Sequence, residues 1–228
     1  MFESRAKAQA AIAAGLVLAD DKPVAKASDE IPIDCALQAE PAHPYVSRGG
    51  LKLAAALDYF GFVPCDRVCL DVGASTGGFS DALLQRGARL VYAVDVGRDQ
   101  LHPSLRARND VMSFEQTDIR SLDRSRLGER PDFVAVDVSF ISLKPVLPPA
   151  LALARRPTQL VALIKPQFEA GRQSLKKGIV RDAEIQAAVC EHIAAFSALL
   201  GCNVIGIIPS PILGGDGNRE FLLGAVSD

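Results

Sequence analysis

The sequence has no pair of cysteines in C-x-x-C spacing and no long apolar run. Its five cysteines, Cys35, Cys65, Cys69, Cys190 and Cys202, are scattered along 228 residues, which predicts reduced thiols and no disulfide framework. Only three histidines are present and none is near Cys65 or Cys69, so no metal site is expected. No run reaches the roughly 18 apolar residues of a spanning helix, and no secretory signal opens the chain. We therefore expect a cytoplasmic protein without a membrane partner.

The sequence also has little net charge. The formal value is -2 at pH 7, so overall charge does not identify a nucleic-acid-binding protein. With 49% hydrophobic residues, the chain can bury one full domain and a small additional module.

A glycine-rich turn between an apolar strand and a helix is the most informative stretch, VCLDVGASTGGF at residues 68–79. Gly73, Gly77 and Gly78 allow the backbone to turn sharply and to approach a ligand closely. The start of the following helix directs N–H groups and the positive end of its dipole toward an acidic ligand. The spacing differs from the G-x-G-x-x-G of dinucleotide enzymes, which argues against a nicotinamide-dependent dehydrogenase. Asp71, which we expect in the turn, suits a ligand with a cation.

Carboxylates are expected at the ends of three consecutive strands. Asp95 follows Asp71 at close to the roughly 20-residue spacing of residues that bind ribose hydroxyls, and Asp118 could accept a hydrogen bond from an adenine amino group. Aspartates also collect at strand ends and turns for structural reasons. The three together favour S-adenosylmethionine, which has an ammonium, a ribose diol and an adenine. The predicted cofactor site consists of Asp71, Gly73, Ala74, Ser75, Thr76, Gly77, Gly78, Phe79, Asp95, Val96, Asp118, Ile119 and Asp137.

The remaining pattern alternates strands with helices, which predicts a mostly parallel sheet with helices on both faces. FVAVDVSF and LVALIKPQ are the expected fourth and fifth strands, and DAEIQAAVCEHIAAFSALLG is an expected helix. VIGIIPSPI and REFLLGAV predict a final antiparallel edge pair. The fold class is therefore Rossmann-like α/β with a seven-stranded sheet.

Four charged residues are expected near the ligand-binding edge of this sheet, because ligands bind beyond the carboxyl ends of parallel strands. Lys52 lies on the helix before the first strand, Asp137 lies near the end of the fourth, Lys165 ends the fifth, and Glu220 opens the last. Individually they could be solvated charges or turn residues. Together they form an acid–base cluster suited to methylating a ribose hydroxyl, a poor nucleophile that must be held in line at about 3 Å from the methyl carbon.

The first 40 residues resemble an S4-type RNA-binding domain that lacks its first helix. The pattern SR-x-x-A-x-x-x-I-x-x-G-x-V is matched by Ser4, Arg5, Ala8, Ile12, Gly15 and Val17. A short helix followed by a hairpin is expected there, and four basic residues against seven acidic ones up to residue 47 are unfavourable for phosphate binding. We predict a partial S4-type α+β module at 1–40, a proline-rich linker at 41–47 and the main domain at 48–228.

Seven motifs together resemble the TlyA-type RNA methyltransferases: YVSRGGLKL, DVGASTGGFSDALL, YAVDVGRDQL, VDVSFISL, IKPQFE, KGIVRD and SPILGGDGNREFL. These proteins have an FtsJ-like catalytic domain behind an S4-type domain and are often labelled haemolysins. The resemblance implies S-adenosylmethionine-dependent 2′-O-methylation of ribosomal RNA, at cytidine, by a Lys-Asp-Lys-Glu tetrad. It assigns the tetrad to Lys52 in RGGLKL, Asp137 in VDVSF, Lys165 in IKPQFE and Glu220 in GNREFL, with Lys165 as the base.

Ribosomal RNA, free or within ribosomal subunits, is then the expected partner. The predicted RNA-binding residues are Arg5, Lys7, Arg48, Arg172, Lys176, Lys177 and Arg181. A solvated loop is the alternative explanation for the basic run GRQSLKKGIVRD. The alternative functions are an RNA-binding relative without activity and a cytolysin.

Overall fold

The computed structural model describes residues 1–2, 5–214 and 217–228. The chain divides into two compact units, Met1–Pro44 and Tyr45–Asp228, which are described separately. The point of division lies inside the range 41–47 that was predicted to be a linker.

The first unit is a helix with a small antiparallel sheet. Its elements are α1 (Arg5–Ala13), β1 (Val17–Ala19), β2 (Lys22–Pro23) and β3 (Leu37–Ala39), with strand order β2-β1-β3. The predicted helix and hairpin are present, and the hairpin turns through Asp20 and Asp21, both at positive φ, a conformation that aspartate tolerates. Strand β3 was not predicted, because three residues, LQA, are too few for an alternating pattern to be recognised. Ser4 lies outside the described residues.

The second unit contains a seven-stranded sheet covered by helices. Its elements are α2 (Gly49–Phe60), β4 (Val68–Val72), α3 (Gly78–Gln85), β5 (Leu90–Val94), α4 (Pro103–Arg106), β6 (Val111–Phe114), β7 (Phe133–Val136), α5 (Leu147–Leu153), β8 (Thr158–Ile164), α6 (Pro166–Glu169), α7 (Ala183–Leu199), β9 (Cys202–Pro209) and β10 (Phe221–Ser227). The strand order is β6-β5-β4-β7-β8-β10-β9. Strand β10 pairs antiparallel with both β8 and β9, whereas the pairings among β4 to β8 are parallel. This is the predicted Rossmann-like sheet with its antiparallel pair at one edge.

The central strands are buried on both faces, which is why their sequences are nearly continuous apolar runs. Leu70 and Val134 belong to the hydrophobic core on one face, and Cys69 and Phe133 belong to the core on the other. All five cysteines are free, and burial raises the pKa of the Cys69 thiol well above its ordinary value. A buried protonated thiol of this kind is unreactive.

Candidate active site

The glycine-rich turn joins β4 to α3 and packs against the chain that leaves β7. Gly73 has φ +84°, and a Cβ at this position would lie 2.3 Å from the carbonyl oxygen of Asp137. Gly77 has φ +92° and begins α3 in a left-handed conformation. A side chain at Gly73 would therefore force apart two backbone segments, so the sequence requires glycine there.

Asp95, directly after β5, fixes the conformation of this turn. Its Oδ2 accepts a hydrogen bond from the Ser75 backbone N–H at 2.7 Å, and its Oδ1 accepts one from the Gly97 N–H at 2.7 Å. A carboxylate has about four lone-pair sites, so Asp95 keeps acceptor capacity for a ligand hydroxyl.

Two adjoining clefts open beside the turn, at the carboxyl ends of the strands. The first has a volume of about 410 Å³, and its lining includes Val94, Asp95, Val96, Thr117, Asp118, Ile119 and Phe140. The second has a volume of about 280 Å³, and its lining includes Arg48, Lys52, Ala74, Thr76, Gly78, Phe79 and Lys165. Gly73, Ser75, Asp137 and Ser139 line both clefts. Of the residues predicted to bind a cofactor, all but Asp71 and Gly77 therefore line a cleft.

The position predicted for Asp71 is wrong. Asp71 lies inside strand β4 and has no exposed surface, so it does not line the turn. Its Oδ2 accepts a hydrogen bond from the Ser80 hydroxyl at 2.6 Å, which ties β4 to the first turn of α3. Burial raises the pKa of Asp71 to about 7, because the ionised carboxylate is poorly solvated there.

Asp118 also differs from its predicted position at a strand end. Strand β6 stops at Phe114, and Asp118 is the N-cap of a short 3₁₀ helix, Ile119–Ser121. The Arg120 guanidinium donates to the Asp118 carboxylate and holds its pKa below the usual range. The residue nevertheless lines the first cleft, so it remains a candidate for ligand contact.

The four predicted catalytic residues form two ion pairs. Lys165 Nζ lies 2.6 Å from Asp137 Oδ1, and Lys52 Nζ donates to Glu220 Oε2 at 2.5 Å. They come from four places in the fold: helix α2, the ends of β7 and β8, and the residue before β10. Lys52, Lys165 and Glu220 are each less than 10% exposed, so both pairs are largely removed from water.

Gly214, which precedes Glu220 in the chain, packs closely against the Glu220 carboxylate. A Cβ at Gly214 would lie 2.0 Å from Glu220 Oε1, and the Gly214 N–H donates to the Asn218 carbonyl oxygen. Gly215 and Asp216, between these two positions, lie outside the described residues.

Sequence analysis did not identify the residues that follow Asp137. Ser139 accepts a hydrogen bond from Lys165 Nζ at 2.8 Å. Phe140 is 91% exposed and has φ +64°, a rare conformation for a bulky residue. Its ring centroid is 5.1 Å from that of Phe168. The apolar sequence FVAVDVSF suggested that the buried strand continued through this point, and no local pattern indicated that the chain leaves it at Asp137.

Glu169 of α6 holds the same loop from its far side. Its Oε2 accepts a hydrogen bond from the Ser142 hydroxyl at 2.6 Å, and its Oε1 accepts one from the Leu143 N–H at 2.7 Å. Together with the contacts of Lys165 and Phe168, these bonds fasten the loop after β7 to the segment after β8.

The predicted RNA-binding residues are placed as follows. Arg48 lines the second cleft, and Lys176, Lys177 and Arg181 are exposed on a segment that turns back on itself through a bridge between Lys176 and Ile179. Arg5 and Lys7 lie on α1 of the first unit. The side chain of Arg172 lies outside what the structure describes.

The described residues contain neither a metal-binding cluster nor a membrane-spanning helix. Among them, no cluster of three or more His, Cys, Asp or Glu side chains could hold a metal ion. Within the same part of the chain, no helix has the length and apolar character needed to cross a membrane.

Comparisons with known proteins give a consistent result. The family model for the FtsJ-like methyltransferase matches residues 45–226. The 16S/23S rRNA (cytidine-2′-O)-methyltransferase TlyA of Mycobacterium tuberculosis is 40% identical over 226 residues, 98% of this chain and 84% of that protein. Hemolysin A of Brachyspira hyodysenteriae is 38% identical over 224 residues, 96% of this chain and 92% of that protein.

A solved structure gives the same picture for the fold. A candidate hemolysin from Streptococcus thermophilus superposes with a TM-score of 0.82 at 43% identity, covering 99% of this chain and 84% of that chain.

Proposed function

The chain belongs to the FtsJ-like methyltransferase family, and we propose that it transfers the methyl group of S-adenosylmethionine to a ribose 2′-hydroxyl in ribosomal RNA. The relative from Mycobacterium tuberculosis is named for cytidine 2′-O-methylation of 16S and 23S rRNA, and the one from Campylobacter jejuni for the same reaction on 23S rRNA. We extend the cytidine preference to this chain. The target places the enzyme in the cytoplasm, on ribosomal RNA or a ribosomal subunit.

The first cleft fits the cofactor. Asp95 has free acceptor capacity for ribose hydroxyls, Val96 and Ile119 offer apolar surface to an adenine ring, and Asp118 can accept from its amino group. Gly73 lies at the junction of the two clefts, where the absence of a Cβ lets the turn pack directly against the backbone of Asp137. The cofactor supplies an electrophilic methyl group on a sulfonium, and this junction lies between the adenosine-sized cleft and the Lys165–Asp137 pair. Asp71 acts indirectly, through Ser80 and the start of α3.

The observation that carries the proposal is the Lys165–Asp137 pair at the edge of both clefts. Lys165, in its amine form, accepts the proton of the ribose hydroxyl as the new oxygen–carbon bond forms and the sulfur–methyl bond breaks. Asp137 holds the amine in place and stabilises the ammonium that results. Lys52, neutralised by Glu220, borders the same cleft and orients the ribose.

The surroundings of the second cleft suit an RNA strand. Arg48 of the second cleft can contact a phosphate. The exposed ring of Phe140, which lines the adjoining first cleft, can stack on a base, as aromatic side chains do when they bind unpaired nucleotides. Lys176, Lys177 and Arg181 provide further phosphate contacts. We also assign residues 1–40 to a partial S4-type RNA-binding module, with Arg5 and Lys7 as its contacts.

The test is transfer of labelled methyl from S-adenosylmethionine to rRNA in purified ribosomal subunits. Alkaline hydrolysis then reads the product, because a 2′-O-methyl group blocks cleavage at its own linkage. We expect a protected dinucleotide with the wild type and a rate at least about 100-fold lower with Lys165→Ala, the lower end of the range for loss of a general base. Lys144→Ala, an exposed lysine on the neighbouring loop, is the matched control and should retain activity. Label in a base, or undiminished transfer by Lys165→Ala, would contradict the proposal.

A further inference from the structure

Ser139 is in direct contact with the amine to which we assign the role of base. Its hydroxyl accepts a hydrogen bond from Lys165 Nζ at 2.8 Å, and it lines both clefts. Resting on the function proposed above, we propose that Ser139 is a positioning residue that aims the Lys165 lone pair at the ribose hydroxyl.

The valence of a lysine amine determines where its lone pair can point. In its neutral form the nitrogen carries two hydrogens and one lone pair, arranged tetrahedrally with the bond to Cε. Ser139 Oγ accepts one of the two N–H groups in a directed hydrogen bond, whereas Asp137 Oδ1 contacts Nζ at 2.6 Å as an ion pair without hydrogen-bond geometry. With one N–H directed at Ser139 and the other drawn toward the Asp137 charge, the remaining tetrahedral position holds the lone pair, and its direction is fixed. The base is then ready to accept a proton without first rotating.

With Asp137 alone the amine would be held at one point only. Rotation about the Cε–Nζ bond would exchange the second N–H with the lone pair, so that part of the population would present a hydrogen to the ribose hydroxyl. Such a complex cannot react. Alignment at the moment of transfer is worth a large factor in rate, which gives a neutral hydroxyl at this position a kinetic role although it has no charge.

The neighbouring charged groups do not supply a second acceptor for the Lys165 amine. Asp137 already contacts the amine, Glu220 is bound to Lys52 at 2.5 Å, and Lys52 is itself a cation. Glu169 directs its carboxylate at Ser142 and Leu143 and so fixes the loop that carries Ser139. Among these groups, Ser139 is the one that adds an acceptor to Lys165 besides Asp137.

The experiment compares wild type, Ser139→Ala and Ser139→Thr in steady-state methyl transfer to ribosomal subunits. Ser139 is exposed, so the additional methyl of threonine has room and alanine leaves no buried cavity. We expect Ser139→Ala to lower kcat about tenfold, the factor for one hydrogen bond to a charged or ionising group. KM for S-adenosylmethionine and for subunits should remain within about twofold, and Ser139→Thr should restore kcat to within about threefold of the wild type. Ser125→Ala, at an exposed serine that lines neither cleft, is the control and should equal the wild type.

The outcomes separate this inference from the proposed function. Wild-type transfer with an unchanged kcat in Ser139→Ala overturns the inference and leaves the function intact. An equal loss of kcat in the alanine and threonine variants also overturns it, and so does an effect that appears only in KM. In either case the hydroxyl group would not be positioning the amine. No methyl transfer to rRNA by the wild type would overturn both.

Discussion

Lys52 and Glu220 are separated by 168 positions in the sequence, and their side chains meet at 2.5 Å. The lysine side chain is 11% exposed and the glutamate side chain 3% exposed. Each charge is therefore largely desolvated and is compensated by the other. The pair joins α2 to the start of β10, and it also borders the second cleft.

Removing one partner of this pair should lower the free energy of unfolding. Glu220→Leu leaves a buried ammonium without a counter-charge, and we expect a loss of roughly 3 kcal/mol in the free energy of unfolding. The double variant Lys52→Met/Glu220→Leu removes both charges and should recover most of that stability while remaining inactive. Urea denaturation and the methyl-transfer assay measure the two effects. A double variant as unstable as the single one would show that the pair is not an isolated electrostatic unit.

Asp71 should make stability depend on pH. Burial, with a smaller contribution from nearby Asp137 and Asp95, raises the pKa of Asp71 to about 7, whereas the carboxyl titrates near 4 in the unfolded chain. Between these values the folded protein holds a proton that the unfolded chain has released. The stabilisation is therefore complete below about pH 4 and is lost as the pH rises toward 7.

The comparison that isolates this effect uses Asp71→Asn, which has no titrating group. Relative to that variant, the wild type should lose about 2 kcal/mol of unfolding free energy between pH 5 and pH 7. Denaturation midpoints at both pH values, for both proteins, give the difference. Parallel curves would mean that Asp71 stays ionised in the folded state.

Phe140 should matter for the RNA and not for the fold. The residue is 91% exposed, so Phe140→Ala should change the denaturation midpoint little, because the lost contact with the Phe168 ring is offset by the weaker steric hindrance of alanine at positive φ. Loss of base stacking, worth about 1–3 kcal/mol, should lower kcat/KM for ribosomal subunits at least fivefold. Phe140→Tyr keeps the ring and serves as the matched control. Equal kcat/KM in all three proteins would remove Phe140 from the RNA interface.

The local sequence pattern was sufficient to predict the sheet and the positions of the residues that directly follow a central strand. Asp95 and Lys165 are located as predicted, because an apolar run of five to seven residues marks where β5 and β8 stop. Asp118 was placed at a strand end because the sequence does not show that the edge strand β6 is only four residues long. Asp71 was placed in the turn because its charge obscured its position in a buried strand.

The contacts between distant segments could not be predicted in the same way. Sequence could assign Lys52 and Glu220 to one end of the sheet, but their pairing depends on β10 inserting between β8 and β9. Likewise, the conformation of Phe140 results from the bonds of Lys165 and Glu169 to its loop, which lie across a strand crossover. Such contacts follow from the assembled fold and leave no local pattern.

The placement of β10 has a consequence for the order in which the site is assembled. The turn at Gly73 and its partner Asp95 come from neighbouring segments, so they can form as soon as β4 and β5 pair. Glu220 enters only when the most distant strand along the chain inserts between two others, a step with a large loop-closure entropy. An intermediate that lacks β10 would therefore have the turn of the cofactor cleft without the counter-ion of Lys52. The cofactor turn thus depends on contacts between neighbouring segments, and the catalytic cluster on a contact that spans 168 positions of the chain.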